Sequence, residues 1–397
     1  MAQYPLSPSS ESAPLPISDL PARQRAWLEV KPQAVSHNAR CLRQLLDPAS
    51  QLMAVVKADG YGHGAVPVAR AALAGGATSL GVATLAEALL LRGAGIRAPV
   101  LILGNLTQPE ELRCCLQWQL MPTVSSMREA LLCQHLASSH GRAMPIHLKL
   151  DTGMARLGID WQEGPRLVAA LAELDAIELA GIYSHLASAD ASPAADDGLT
   201  ATQQQRFAAV LASLQQAGLA AGCRHLANSA ATLRDRSLHF DMVRVGLALY
   251  GHAPAPHLAG AVPLQAAMAV RARISFIREV AKGVGVSYGH GFRTSRPSRL
   301  AVVSIGYADG VPRLLSNRLQ VLVAGRRVPQ VGAITMDQLI VDVTDLPGLE
   351  LGTVVTLLGQ DGNDCITPAE WSAMAQTIPW EVLCGFNHRL PRLLEEG

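Results

Sequence analysis

Several things missing from this sequence narrow its function before any motif is considered. It has no excess of charge: 33 basic residues face 32 acidic ones, a net of +1, and no block of like charge occurs. A basic face for nucleic acid or an anionic membrane is therefore not expected. No apolar run approaches the roughly 20 residues that cross a bilayer. There is no CxxC pair. The seven cysteines, Cys41, Cys114, Cys115, Cys133, Cys223, Cys365 and Cys384, are scattered and odd in number. That argues against a disulfide frame or a metal site and for reduced thiols in the cytoplasm. The first 22 residues, with SPSSESAPLP at their centre, lack the apolar core and basic start of a signal peptide. They read as a flexible arm over residues 1–24. The glycine fingerprint of a dinucleotide-binding sheet is also missing.

What remains is a chain of 397 residues, 49% hydrophobic, with 24 Pro and 34 Gly, ordinary for a globular α/β protein and long enough for about two domains. Its centre is QLMAVVKADGYGHG, Gln51 to Gly64. Leu52 to Val56 are apolar, as in a buried parallel strand, and they deliver Lys57 at the C-terminal end. Gly60, Gly62 and Gly64 then permit a tight loop ahead of a helix beginning near Ala65. Further strand candidates end near Ala83, Leu103, Val124, Leu150, His185, Asn228 and Val245, most separated by alanine- and leucine-rich helical patterns. Eight strands in about 200 residues, counted from Lys57, predict a (β/α)8 TIM barrel over 25–262. After Pro263 strand-like runs follow one another without helices, which predicts a mostly antiparallel β domain over 263–397.

In such a barrel the strand ends at the C-terminal mouth are where chemistry belongs. Lys57 could simply snorkel from its strand end, or, desolvated and neutral, condense with an aldehyde. Ser229, in HLANSAA, is either a helix N-cap or, with the backbone around Gly246, part of a phosphate site. Lys149 and Arg156, in KLDTGMARLG, stand at and beyond the fifth strand, where an arginine could clamp a carboxylate. His185 is a core histidine or a mouth residue, and Arg244 should point into the mouth and need an acceptor. VSYG, GYADG and GAITMDQ, in the β domain, are turns taken singly, with Tyr288 and Tyr307 as acid-base or gating candidates.

Taken in order, VVKADGYGHG, KLDTGMARLG, SHLASAD, ANSAA, VRVGLALYG, VSYG, GYADG and TMDQ make the chain resemble the bacterial alanine racemases, from about Arg25 to Arg392. The resemblance implies a pyridoxal 5'-phosphate enzyme working as a head-to-tail homodimer with shared active sites and alanine as substrate. It implies a supply of D-alanine for peptidoglycan. By that resemblance Lys57 holds the cofactor and is one catalytic base, and Tyr288, from the partner subunit, is the other. Arg244 faces the pyridine nitrogen with His185 behind it. Tyr61, Ser229 and the amides of Gly246 and Leu247 are phosphate ligands. Arg156 serves the cofactor's phenolic oxygen and the substrate carboxylate, and the Met336 amide is a second carboxylate donor. Lys149 matches a lysine that is carbamylated in many members. Asp337, Tyr307, Asp190 and Arg313 line the substrate corridor.

Two positions depart from the family pattern. Trp380 stands where many members have a phosphate-binding tyrosine, and Ala333 where many have an arginine at the outer gate. Both bear on preference for alanine over serine, so a broader small-amino-acid racemase is one alternative. A barrel-only, non-catalytic carrier of the cofactor lacks a β domain bearing VSYG. A decarboxylase of the same architecture needs a phosphate-binding glycine run and a cysteine in the Tyr288 motif, and neither is found.

Overall fold

A computed structural model describes residues 23–395 apart from 193 and 196. The expected arm therefore lies outside the described residues over 1–22. Eight parallel strands, Gln51–Val55, Ser79–Val82, Val100–Asn105, Met121–Val124, Met144–Asp151, Ile177–Tyr183, Cys223–His225 and Met242–Val245, pair in sequence order. The last pairs back onto the first, with Met242 opposite Gln51 and Val245 opposite Ala54, so the sheet closes. This is the expected TIM barrel.

Alternation along each strand divides its core into two layers. In Met144–Asp151, Ile146, Leu148 and Leu150 join the apolar layer beneath the surrounding helices. His147 and Lys149 point the other way and are buried inside the barrel. In Met242–Val245, Val243 and Val245 face the helices, leaving Met242 and Arg244 for the interior. Met53, Leu101, Tyr183 and Met242 form the apolar part of that interior. Gly181 leaves room for the His147 ring, since a Cβ there would lie 2.5 Å from Nδ1.

The second sheet is mostly antiparallel and is built on the long strand Met268–Val280, which pairs with both Ser298–Val303 and Val354–Asp361. Its compact unit takes described residues from three parts of the chain: 23–29, Val270–Thr367 and Asn387–Leu393. The barrel unit comprises, among the described residues, Val30–Ala269, Pro368–Phe386 and Leu394 with Glu395. Where the sequence leads to a division at 262/263, the chain passes from one unit to the other at Ala269/Val270, and short segments near both ends of the described chain cross over. Ala26–Val30, which the sequence puts at the head of the barrel region, lies in the second sheet between Met268–Val280 and Arg392–Leu394. Glu29 is the reason on the strand's polar side: it accepts from Trp27 Nε1 and Arg271 Nε, both at 2.9 Å.

Candidate active site

At the end of Gln51–Val55 the backbone enters an uncommon conformation. Ala58, Asp59, Gly60 and Tyr61 have φ of 52°, 51°, 60° and 51°, four successive left-handed residues of which three carry a Cβ. Each such non-glycine residue costs roughly 1–2 kcal/mol, so the surroundings must impose the turn. They do so at several points. The Asp59 carboxylate accepts the Ala65 amide at 2.9 Å, and the Ala58 amide donates 2.7 Å to Glu87. Tyr61 stacks on Tyr250 at 4.7 Å, and Tyr250 donates to the Val55 carbonyl. Gly62 is needed for a different reason: a Cβ there would meet the Leu383 carbonyl at 2.6 Å. The turn fixes Lys57, half-buried, at the barrel mouth. Burial, and then the nearby Arg156 charge, lower its pKa and make it a better proton acceptor.

Arg244 is buried among neutral partners. Its guanidinium donates to the carbonyls of Ser184 (2.7 Å) and Leu226 (3.1 Å) and meets Nδ1 of His225 at 3.0 Å and Nδ1 of His185 at 3.1 Å. An arginine can only donate, so both Nδ1 atoms accept. His225 then carries its proton on Nε2 and donates it to His147 Nδ1, 2.9 Å away. All three rings are held neutral: burial and then Arg244 push His185 and His225 well below the ordinary range and His147 down to about 4. Burial also brings Arg244 itself down to about 10. Tyr183 stacks on His225 at 4.7 Å and lies beneath Lys149, whose ammonium is 5.2 Å from the ring centre. Burial, with Arg244, Arg156 and Lys57 nearby, drops the Lys149 amine to about 8.

A third group lies at the last two strand ends. Asn228, not Ser229, caps the helix Ser229–Arg234, accepting from the Ala231 amide at 3.1 Å. Ser229 Oγ instead accepts the Gly246 amide at 3.0 Å and the Ala248 amide at 3.4 Å. With both lone pairs taken, its O–H remains as a donor, which suits an anion. The Gly246 amide therefore supports such a site through Ser229. Gly246 also makes room for Tyr61, since a Cβ would fall 2.3 Å from the phenol oxygen. An amine of lowered pKa, a hydroxyl obliged to donate, a glycine cradle and a buried guanidinium facing only neutral groups fit an aldehyde-bearing aromatic phosphate such as pyridoxal phosphate. Among the described residues no His/Cys/Asp/Glu cluster could hold a metal ion.

The barrel unit thus brings together Lys57, Tyr61, Lys149, Arg156, His185, Ser229, Arg244 and the Gly246–Leu247 backbone. Asp190 is exposed in the loop after Ile177–Tyr183, and Trp380, on the helix Pro379–Cys384, packs half-buried against the barrel core. The β unit collects the others. The Tyr307 amide donates to the Thr335 carbonyl and the Ala308 amide to that of Met336, at 2.9 and 3.0 Å. Ser287 Oγ donates to the Ala333 carbonyl at 2.7 Å, and Arg389 holds Asp337 at 2.7 Å. Tyr288, Tyr307, Arg313, Met336 and Asp337 are exposed. Ser287, beside Tyr288, has φ 60° and ψ −170°, a region almost reserved for glycine. His147, Tyr183, His225, Glu87 and Ser287 were not singled out from sequence. Alternation could have found His147, which shares a strand face with Lys149.

Family models for the alanine racemase N-terminal domain and C-terminal domain match residues 30–254 and 267–394. An alanine racemase of Prochlorococcus marinus is 55% identical over 381 residues, covering 96% of this chain and 98% of its own. The crystal structure of an alanine racemase from Streptomyces lavendulae superposes with a TM-score of 0.87 at 39% identity, covering 94% and 97% of the two chains. That of an alanine racemase from Bartonella henselae, with covalently bound pyridoxal phosphate, does so at 0.82 and 33%, covering 94% and 99%.

Proposed function

The chain belongs to the alanine racemase family of amino-acid isomerases, and on that premise we propose that it interconverts L- and D-alanine by a two-base mechanism on pyridoxal phosphate. The observation that carries the reading is the Arg244 arrangement, a buried cation whose side-chain partners are histidines that accept from it through Nδ1. Lys57 would hold the cofactor, Tyr61, Ser229 and the Leu247 amide its phosphate, with the Gly246 amide acting through Ser229, and Arg244 its ring nitrogen. Pyridoxal phosphate, when bound, withdraws electrons from the substrate's α-carbon and acidifies the α-proton. A guanidinium does not give up its proton readily, so Arg244 facing the ring nitrogen would leave it unprotonated and limit that withdrawal, which would favour return of the proton over transamination.

Lys57 takes or returns the proton on one face of the α-carbon. Tyr288 of the partner subunit serves the other face, in a homodimer with shared sites, and its exposure in the single chain is consistent with that. Arg156 and the Met336 amide hold the substrate carboxylate. Asp190, Tyr307, Arg313, Ala333 and Asp337 line the approach, and Trp380 borders the cofactor site. Lys149, cationic or neutral among Arg156, Arg244 and Lys57, gains a compensating negative charge if its amine takes up carbon dioxide and loses a proton. The seven cysteines, none of them in a disulfide, favour the cytoplasm, and no helix among the described residues is long and apolar enough to cross a membrane. D-alanine for peptidoglycan is the role we assign.

Proton NMR in deuterium oxide tests the reaction, with pyridoxal phosphate and L-alanine or L-serine supplied separately. α-Proton exchange with appearance of the other enantiomer, faster for alanine, is expected. Comparable turnover of serine would mean that Ala333 and Trp380 broaden the site. No exchange with any small amino acid would overturn the proposal in favour of a cofactor carrier.

A further inference from the structure

The amide that follows Lys57 is held by a carboxylate to which the mechanism above gives no part. Glu87 lies in the first turn of the helix Leu85–Gly93, whose N-cap is Thr84. Its backbone amide donates to Thr84 Oγ1, and its Oε2 accepts from the amides of Ala83 and Thr84 at 2.7 and 3.2 Å. Those contacts complete an ordinary capping box. The other oxygen does something a cap does not require: Oε1 accepts the Ala58 amide at 2.7 Å, 29 residues away in sequence. The reach is possible because the two strands that precede these segments are neighbours, with Val55 opposite Gly81.

The Ala58 nitrogen belongs to the Lys57–Ala58 peptide. That peptide is planar, so holding its N–H fixes the rotation about the Lys57 Cα–C bond. Ala58 is also the first left-handed residue of the turn, with φ 52° and ψ 51°. A short bond to a carboxylate is stronger than one between neutral groups, and this one acts where strand gives way to turn. The charged and titratable groups that act on Lys57 come from four other elements. They are Arg156 and Lys149 from the fifth barrel strand and its loop, His185 after the sixth, Cys384 on Pro379–Cys384, and Glu87. Asp59, on the same turn as Lys57, accepts the Ala65 amide. Glu87 is the carboxylate among the groups reaching Lys57 from other elements.

We propose that Glu87 is a positioning residue for Lys57: it orients the lysine's backbone through the Ala58 amide, and its charge offsets that of Arg156 beside the amine. The inference rests on Lys57 being the catalytic lysine, but its test does not. Lys57 of the full-length protein, without added cofactor, is acetylated with acetic anhydride across a pH series and read by mass spectrometry. Racemisation is measured in parallel with pyridoxal phosphate. Three variants are compared with wild type: Glu87→Gln, Glu87→Asp and Thr84→Ala.

Gln has one acceptor where Glu has two and carries no charge, so Glu87→Gln should bring the Lys57 reactivity midpoint to lower pH and cut kcat about tenfold or more, with KM within about twofold. Glu87→Asp keeps the charge but shortens the reach, so kcat should fall with the midpoint unmoved. Thr84→Ala weakens the same helix cap and keeps the carboxylate, so both readings should stay at wild-type values. A Glu87→Gln protein with an unmoved midpoint and kcat, or effects matched by Thr84→Ala, would reduce Glu87 to a cap and overturn the proposal. If wild type fails to racemise alanine, the proposed function falls, and the acetylation midpoint still decides the role of Glu87.

Discussion

The barrel unit and the β unit carry their candidate site residues in opposite ways. Inside the barrel Lys149 and Arg244 are 5% and 3% exposed, among His147, His225 and Tyr183, and desolvation sets their chemistry. Amines and imidazoles there are driven toward neutrality, and a phenol is pushed up to about 12. In the β unit Tyr288 and Met336 are 75% and 53% exposed, and two carboxylates there are held by arginines. Asp309, fully buried, takes a two-pronged contact from Arg25 at 2.5 and 2.9 Å, and Arg389 holds Asp337. There the backbone carries the constraint, as at Ser287. Proton affinity is tuned where water is excluded; an exposed side chain is instead aimed by a rigid turn.

That contrast can be broken by experiment, and the largest effect should come from the barrel. Replacing Lys57 with Ala should remove both racemisation, by more than about 10³-fold, and the visible absorbance of lysine-bound pyridoxal phosphate. Retained activity would sink the cofactor assignment. Tyr288→Phe should divide the two readings, with activity falling roughly 10²- to 10⁴-fold and absorbance retained, because the β unit supplies a proton carrier and not the cofactor's attachment. Near-wild-type rates would remove Tyr288 from the mechanism.

A smaller and purely energetic difference should appear on acidification. His147 and His252 are pushed down by burial to about 4, against an ordinary value near 6.5. Between those values the unfolded chain binds protons that the folded barrel refuses. The barrel is therefore at full stability above about pH 6.5 and loses stability as pH falls toward 4. From pH 7 to pH 5 we expect a loss on the order of 1 kcal/mol or more, read by hydrogen exchange of barrel peptides in urea. His290 and His388, the histidines of the β unit among the described residues, are exposed, so its peptides should change less. An equal loss in both units would erase the comparison.

Much of this molecule is written locally. Alternation in MPIHLKLD puts Lys149 inside and its leucine neighbours outside, and an apolar run ending in Lys57 marks a strand end at the barrel mouth, because a strand's period depends only on adjacent residues. Helix starts are local in the same way: Ser126 heads Met127–His140 by accepting the Glu129 amide at 3.3 Å, and the Glu129 carboxylate accepts the Ser125 amide at 2.6 Å. Nothing local marks Ala26–Val30 as a strand of the second sheet, since its partners lie more than 200 residues away.

The glycines after Lys57 announced a tight loop. That Ala58, Asp59 and Tyr61 share the left-handed conformation was decided by the local Asp59–Ala65 bond together with Glu87, from beside the neighbouring strand, and Tyr250, which closure of the barrel brings to that turn. Ser229 looked equally like a cap or an anion ligand until Asn228 took the cap and the Gly246 and Ala248 amides took its lone pairs. Sequence alone determined which side chains stand at strand ends, since periodicity is a property of neighbours. Tertiary structure decided their protonation, tautomer and strain, because burial and hydrogen-bond partners come from segments that meet only when the sheet closes.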